Sequence, residues 1–315
     1  MRNLTNHTRT DIIREVNPVI IDTDPGMDDA IAIFTAHESG LDIAVIVTTY
    51  GNVCGDTTYD NTLRLTSLFG ISAKIIRGTE TPLNADAKRE DASFFHGNNG
   101  MGGIELPHHN IAPPNKTAET DEGCDVLLSE IKSIEKIDYI ALGPLTNLAR
   151  LIKNHPTVKN NIENVVIMGG GFDVFNSPHD SEFNIYCDPD AADIVFASGM
   201  NITLVPLDLT HKIILNKTDL DNITRPVDSV KKEIIKKILD KNLEASVVEN
   251  SLEGAVLHDA AAVFAYTDPS AFSFETASVT VNKYGKTTRT DGNIKIAIEA
   301  DVDFIKEKLK KAVSG

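Results

Sequence analysis

The chain has 315 residues, 46 acidic against 30 basic, for a formal charge of −16, and 41% of its residues are apolar. That apolar share fills a core and excludes a disordered chain, while the acidic balance disfavours nucleic-acid and polyphosphate partners. No apolar run reaches the ~20 residues of a bilayer-spanning helix, and Met1–Thr10 lacks the apolar core of a signal peptide, so a cytoplasmic protein with no membrane partner is expected. Cys54, Cys124 and Cys187 are scattered and without CxxC spacing, which fits a reducing compartment rather than a disulfide framework or a structural zinc site.

After a polar tail over 1–16, the pattern predicts a strand at Pro18–Asp22, a helix at Asp28–His37, a strand at Ile43–Thr49, a helix at Thr58–Phe69 and a strand at Lys74–Ile76. The stretch 78–120 breaks the rhythm. Its Pro, Gly, Asn and charge without periodicity predict a long active-site loop. Then come helix Glu122–Ile131, strand Asp138–Leu142, helix Asn147–Lys153, strand Asn164–Met168, helix Pro189–Ala197 and strand Thr203–Leu207. The stretch 212–254 reads as helical, amphipathic over Val227–Val247, and is a candidate cap. Thr276–Val281 and Ile294–Glu299 read as a late β-hairpin around Tyr284-Gly285 and Asp291-Gly292. The strands are continuous β-branched runs, hence buried on both faces. Their alternation with helices predicts an α/β fold: a mainly parallel open sheet with helices on both faces, as one domain over 1–315.

Four carboxylates fall within eight residues: Asp22, Asp24, Asp28 and Asp29, in Asp22-Thr-Asp-Pro-Gly-Met-Asp-Asp-Ala30. One or two acids suit a helix start through the macrodipole. Four at the end of a buried strand repel one another, and a bound cation relieves that. All-oxygen ligands point to a hard cation, Ca²⁺ or Mg²⁺. An EF-hand is excluded, because Gly26 holds the loop's fifth position and Ile33 its twelfth, where bidentate Glu is required. His258-Asp259, opening a later helix, supplies a distant carboxylate; helix capping alone would also explain that pair.

Open parallel sheets bind ligands beyond the carboxyl ends of their strands. Here those ends carry Gly51-Asn52, Leu142-Gly143-Pro144-Leu145-Thr146-Asn147, Met168-Gly-Gly-Gly171 and Leu207-Asp-Leu-Thr-His211. Together they form one rim of acids, amides and glycines suited to a small hydroxylated ligand, with Met168 as a further contact. Asn176, Asp180, Glu182 and Asn184 follow. On an extended segment Glu182 and Asn184 point the same way, and a carboxylate beside an amide suits sugar hydroxyls. His96, flanked by glycine in the long loop, is a candidate lid acid.

These motifs resemble, in order and over about residues 18–300, those of the inosine-uridine-preferring nucleoside hydrolases. The resemblance implies hydrolysis of ribonucleosides to free base and ribose, with a tightly held Ca²⁺. It implies Asp24, Asp29 and Asp259 as side-chain ligands and the Leu142 carbonyl as another, with the ribose 2′- and 3′-hydroxyls and one water completing the shell. Asp24 would also be general base on that water. Asp28, Asn52 and Asn184 would hold the 2′,3′-hydroxyl side, and Asn176 and Glu182 the 5′-hydroxyl side. His258, then His96, are the candidate acids for the departing base. A homo-oligomer, dimer or tetramer, is implied as well.

The chain departs from relatives that stack an aromatic residue from the late helical region on the base: it has no Phe, Tyr or Trp between Phe196 and Phe264, and no Trp at all. Phe94, Phe95, Phe172 or Phe175 would have to supply apolar contacts. Two competing readings are a haloacid-dehalogenase-type phosphohydrolase, since Asp22-x-Asp24 follows a strand, and a non-catalytic calcium or sugar-binding module. The first lacks a Thr or Val two residues after the second Asp, where Gly26 stands, and the second leaves the base candidate Asp24 unexplained.

Overall fold

A computed structural model describes residues 17–84, 90–109, 120–250 and 252–314, so the expected tail over 1–16 lies outside the described residues. Eight strands form one sheet: β1 Val19–Thr23, β2 Ile43–Thr48, β3 Lys74–Arg77, β4 Ile137–Ala141, β5 Ile162–Met168, β6 Ile202–Val205, and, after the short β7 Ile214–Leu215 and β8 Ala255–Val256, β9 Phe272–Val281 and β10 Thr287–Ala300. Their spatial order is β3-β2-β1-β4-β5-β6-β10-β9. All neighbours are parallel except β9 against β10. This is the expected open, mainly parallel sheet.

Side chains of β1 alternate between two cores. Val19 and Ile21 join one with the helices Met27–Glu38, Val230–Asn250, His258–Thr267 and Val302–Ser314. Ile20 joins the other with the helices Thr120–Ser133, Thr146–Asn154 and Pro189–Phe196. Burial on both faces is why the strand runs lack polar alternation. The strand order reverses beside β1, since β2 lies on one side and β4 on the other. The carboxyl ends of β1, β2 and β4 therefore meet around one crevice, the usual ligand position in such sheets.

Three expectations need correction. The stretch 212–254 is not wholly helical: β7 and β8 pair antiparallel and tie the ends of a helical excursion together. Its long helix buries Ile234, Ile235, Ile238 and Leu239 in the core with the Met27–Glu38 helix. The late hairpin turns only at Asn282–Lys286, where Asn282 Oδ1 accepts from the Tyr284 and Lys286 amides. Asp291-Gly292 instead sits inside β10, where the register slips between Thr290 and Ile294. A Cβ on Gly292 would stand 2.5 Å from the Ser278 amide nitrogen, so the glycine marks a bulge pressed against β9 rather than a turn. The strand expected at Thr203–Leu207 stops at Val205, because Pro206 cannot continue the ladder and a short helix, Leu207–Thr210, begins. Among the described residues, no helix is long and apolar enough to cross a membrane.

Candidate active site

The chain leaves β1 at Thr23 and turns through Asp24-Pro25-Gly26 into the helix Met27–Glu38. Asp29, fully buried in its first turn, organises this corner. Its Oδ1 accepts from the Thr23 hydroxyl (2.5 Å) and the Asp24 amide (3.3 Å), and its Oδ2 from the Gly26 amide (3.0 Å) and Asn52 Nδ2 (2.9 Å). Asn52, just past β2, also donates Nδ2 to the Asp24 carbonyl (3.1 Å) and its amide to Asp24 Oδ2 (2.7 Å). Glycines flank Asp24. A Cβ on Gly51 would lie 2.1 Å from Asp24 Oδ2, and one on Gly143 would lie 2.4 Å from Oδ1.

Asp28, Asp29 and Asp259 offer carboxylate oxygens within 4.8 Å of one another. Asp24 Oδ1 and Asp28 Oδ1 are buried with no hydrogen-bond partner. Burial first, then neighbouring charge, drives these acids upward. Asp29 is raised from 3.8 to about 6 by burial and Asp28. Asp28 is raised to about 6 by burial. Asp24 and Asp259 are held well above the carboxylate range by burial, with Asp29 adding for Asp24 and Asp28, Asp29 and Asp24 for Asp259. Two unpartnered oxygens among like charges are costly unless a cation joins them, and an all-oxygen donor set fits a hard divalent ion.

His96 and His258 flank these acids. The Met27 amide donates to His96 Nδ1 (3.1 Å), so the ring proton is on Nε2, 3.9 Å from Asp28 Oδ1. His258 Nδ1 lies 2.9 Å from the Thr210 hydroxyl. Burial lowers His96 to about 4 and, with the nearby His211 and His96, lowers His258 to about 3. Both imidazoles are neutral at pH 7.

Asn184 donates Nδ2 to the Leu142 carbonyl (2.7 Å) and the Met168 carbonyl (3.2 Å). Glu182 accepts from the amides of Gly170 and Asn184 (both 2.9 Å) and Ile185 (3.2 Å), and burial raises it to about 7. Asn176 Oδ1 accepts from the Phe183 amide (2.9 Å). One cavity, open to solvent, is lined by Asp28, Asn52, His96, Leu142, Met168, Asn176, Glu182, Asn184, His258 and Asp259. Asp24 and Asp29 are buried beside it, bonded to Asn52. The structure thus brings all twelve sequence-derived candidates to one place.

Asp22 is the exception within the acidic motif. It accepts from Tyr139 Oη (2.6 Å) and Asn147 Nδ2 (2.8 Å), 1% exposed, away from the other three acids. Glu182 and Asn184 are not on an extended segment. Glu182 caps the short helix Phe183–Cys187, because its carboxylate satisfies that helix's free amides. Of the phenylalanines expected at the base, Phe94 and Phe95 line the cavity, whereas Phe172 lies under Arg289 (4.0 Å) and Phe175 near Lys286 (5.8 Å). No described residue of 212–254 lines the cavity; that segment packs beside it. Sequence reasoning missed Phe183 and Ala92; Thr210 was given only as part of the rim motif, without its role beside His258.

The family model described as inosine-uridine preferring nucleoside hydrolase matches residues 19–307. A protein of Arabidopsis thaliana called probable uridine nucleosidase 2 is 34% identical over 303 residues, covering 94% of this chain and 92% of that one. The pyrimidine-specific ribonucleoside hydrolase RihA of Escherichia fergusonii is 33% identical over 313 residues, covering 93% and 98%. Among solved structures, a purine-preferring ribonucleoside hydrolase from Gardnerella vaginalis superposes with a TM-score of 0.84 at 27% identity, covering 95% and 98%. A plant nucleoside hydrolase, PpNRh1, does so with 0.85 at 30%, covering 95% and 99%. The chain belongs to the inosine-uridine-preferring nucleoside hydrolase family, a family of ribonucleoside-cleaving N-glycosidases.

Proposed function

We propose that the chain hydrolyses the N-glycosidic bond of ribonucleosides to free base and ribose, with Asp24 as general base on the attacking water. Ca²⁺ is the cation the site would hold, through Asp24, Asp29, Asp259 and the Leu142 carbonyl. The observation that carries this reading is the pair of buried, unpartnered carboxylate oxygens of Asp24 and Asp28 beside Asp29 and Asp259. Several oxygen donors of mixed type suit Ca²⁺ better than the stricter Mg²⁺. When bound, the ion would supply positive charge that keeps these acids ionised and acidifies a water.

The remaining roles belong to the chain itself. Asp24 Oδ1, with no competing donor, is free to take a proton from water. The ionised acids favour the oxocarbenium-like charge that grows on ribose as the base departs. Asp28, Asn52 and Asn184 orient the 2′- and 3′-hydroxyls, Asn176 and Glu182 the 5′-hydroxyl, and Met168 packs against the sugar. His258 assists the departing base as a neutral hydrogen-bond donor, because its low pKa leaves no stored proton. His96, its Nδ1 taken by Met27, steadies Asp28.

Uridine is the first substrate to test, following the names of the plant and bacterial relatives, with inosine as the purine comparison. A homo-oligomer in a reducing cytoplasm completes the reading, in keeping with Cys54, Cys124 and Cys187, which form no disulfide. The phosphohydrolase reading loses its nucleophile, since Asp22 is buried and doubly hydrogen-bonded. Ribose release from uridine by EGTA-stripped protein, with and without added Ca²⁺, tests the proposal. Activity should vanish on stripping and return with Ca²⁺. Full turnover by protein with no detectable metal refutes it.

A further inference from the structure

The strand end Gly169-Gly170-Gly171 joins three residues of the type with most backbone freedom to lose on folding. Yet each amide from Gly170 to Asp173 donates to a side chain brought from elsewhere. Gly170 donates to Glu182 Oε2 (2.9 Å), Gly171 to Thr287 Oγ1 (3.2 Å), and Phe172 and Asp173 to the two oxygens of Asp208 (both 2.8 Å). Thr287 completes a two-way clasp, because its hydroxyl also donates to the Gly171 carbonyl (2.5 Å). It is 3% exposed and lies 116 residues away in sequence.

Thr287 opens β10, and its neighbours bind the same loop. Lys286 pairs with Asp180 (2.9 Å), the Tyr284 ring lies 4.7 Å from that of His179, and Arg289 stands 4.0 Å over Phe172. His179 and Asp180 hold φ of +65° and +55°, a conformation that needs support from its surroundings. The hairpin tip and the loop carrying Asn176 and Glu182 are one packed unit.

We infer that Thr287 is a positioning residue for the 5′-hydroxyl end of the ribose site. By fixing both polar groups of Gly171, it fixes the adjoining Gly170 amide on Glu182, and so sets how that carboxylate faces the cavity. The Gly170 and Ile185 amides occupy Oε2 and the Asn184 amide one lone pair of Oε1, leaving the other lone pair of Oε1 for a ligand hydroxyl. Thr287 itself does not line the cavity. The inference rests on the proposed assignment of Asn176 and Glu182 to the 5′-hydroxyl.

The test compares uridine with 5′-deoxyuridine in wild type, Thr287→Val, Thr287→Ser and Glu182→Gln. For Thr287→Val, kcat/KM should fall about tenfold on uridine but stay within about twofold on 5′-deoxyuridine, while Thr287→Ser stays within about twofold on both. Both substrates are assayed on one preparation and rates are expressed per folded molecule, so a partly unfolded sample leaves the ratio of uridine to 5′-deoxyuridine unchanged, and Thr287→Ala serves if the Val variant does not fold. Equal losses on both substrates overturn the inference, since they mark a purely structural role. So does an unaffected Thr287→Val when Glu182→Gln loses selectively on uridine. A Glu182→Gln variant that treats both substrates alike removes the 5′-hydroxyl assignment itself, a separate and recognisable failure.

Discussion

Replacing Asp24 by Asn separates chemistry from folding, because the two should move in opposite directions. The amide oxygen of Asn can keep the bond from the Asn52 amide, now 2.7 Å to Oδ2, while one charge leaves the cluster. In metal-free protein that charge is a liability. Asp28 and Asp29, raised from 3.8 to about 6, each cost the ionised fold about 3 kcal/mol at pH 7. The sign follows from linkage. A carboxylate with a raised folded-state pKa binds its proton more tightly folded than unfolded, so its favourable contribution is complete below about pH 4 and is lost as pH rises through about 6. Asp24 is raised too, first by burial and then by Asp29, and its charge also raises Asp259. Urea unfolding of EGTA-stripped protein should therefore find Asp24→Asn more stable than wild type by about 1–3 kcal/mol at pH 7, and nearly equal to it at pH 4. In Ca²⁺-supplied protein, kcat for ribose release should fall by roughly 10²-fold or more. A stripped variant less stable than stripped wild type at pH 7, or a kcat within tenfold of wild type, refutes the reasoning.

Gly51→Ala should reduce kcat/KM at least about tenfold, because its Cβ would sit 2.1 Å from Asp24 Oδ2 and must displace that carboxylate; normal kinetics would show that Asp24 has room to spare. Asp22 is itself raised to about 7 by burial, so by the same linkage Asp22→Asn should leave stability in urea at pH 7 no lower than wild type, and ribose release per folded molecule should stay nearly intact because Asp22 is bonded to Tyr139 and Asn147. A selective loss of activity would restore Asp22 to the chemistry. His258 is lowered to about 3, so its stabilising contribution is complete above its ordinary pKa of 6.5 and is lost as pH falls towards 3. Its imidazole NMR signals should accordingly stay those of the neutral ring from pH 8 down to 5, and a midpoint between 6 and 7 would contradict the burial argument.

The sheet was legible because β-branched runs such as Ile43–Thr48 bury both faces and cannot be mistaken for alternating edge strands. The acidic corner was legible because it is local: Asp24, Asp28 and Asp29 share one turn and one helix start. What sequence could not separate was Asp22 from Asp24. Only the partners Tyr139 and Asn147, more than a hundred residues away, decide that Asp22 serves the core. Glu182 and Asn184 were found by composition but placed on the wrong backbone, since a capping carboxylate and an extended one look alike without the amides it binds. The bulge at Asp291-Gly292 was read as a turn for a similar reason. Its glycine answers to Ser278 across the ladder, which no neighbouring residue reveals.

The carbonyl of Leu142 already accepts from Asn184 Nδ2 at 2.7 Å, and it is also the backbone oxygen assigned to the cation. One atom would thus serve as hinge between two tasks, gripping the pentose and seating the ion. A drift at the end of β4 would disturb both together. Sugar preference and metal preference in this chain would consequently be hard to retune separately, because one backbone oxygen carries both.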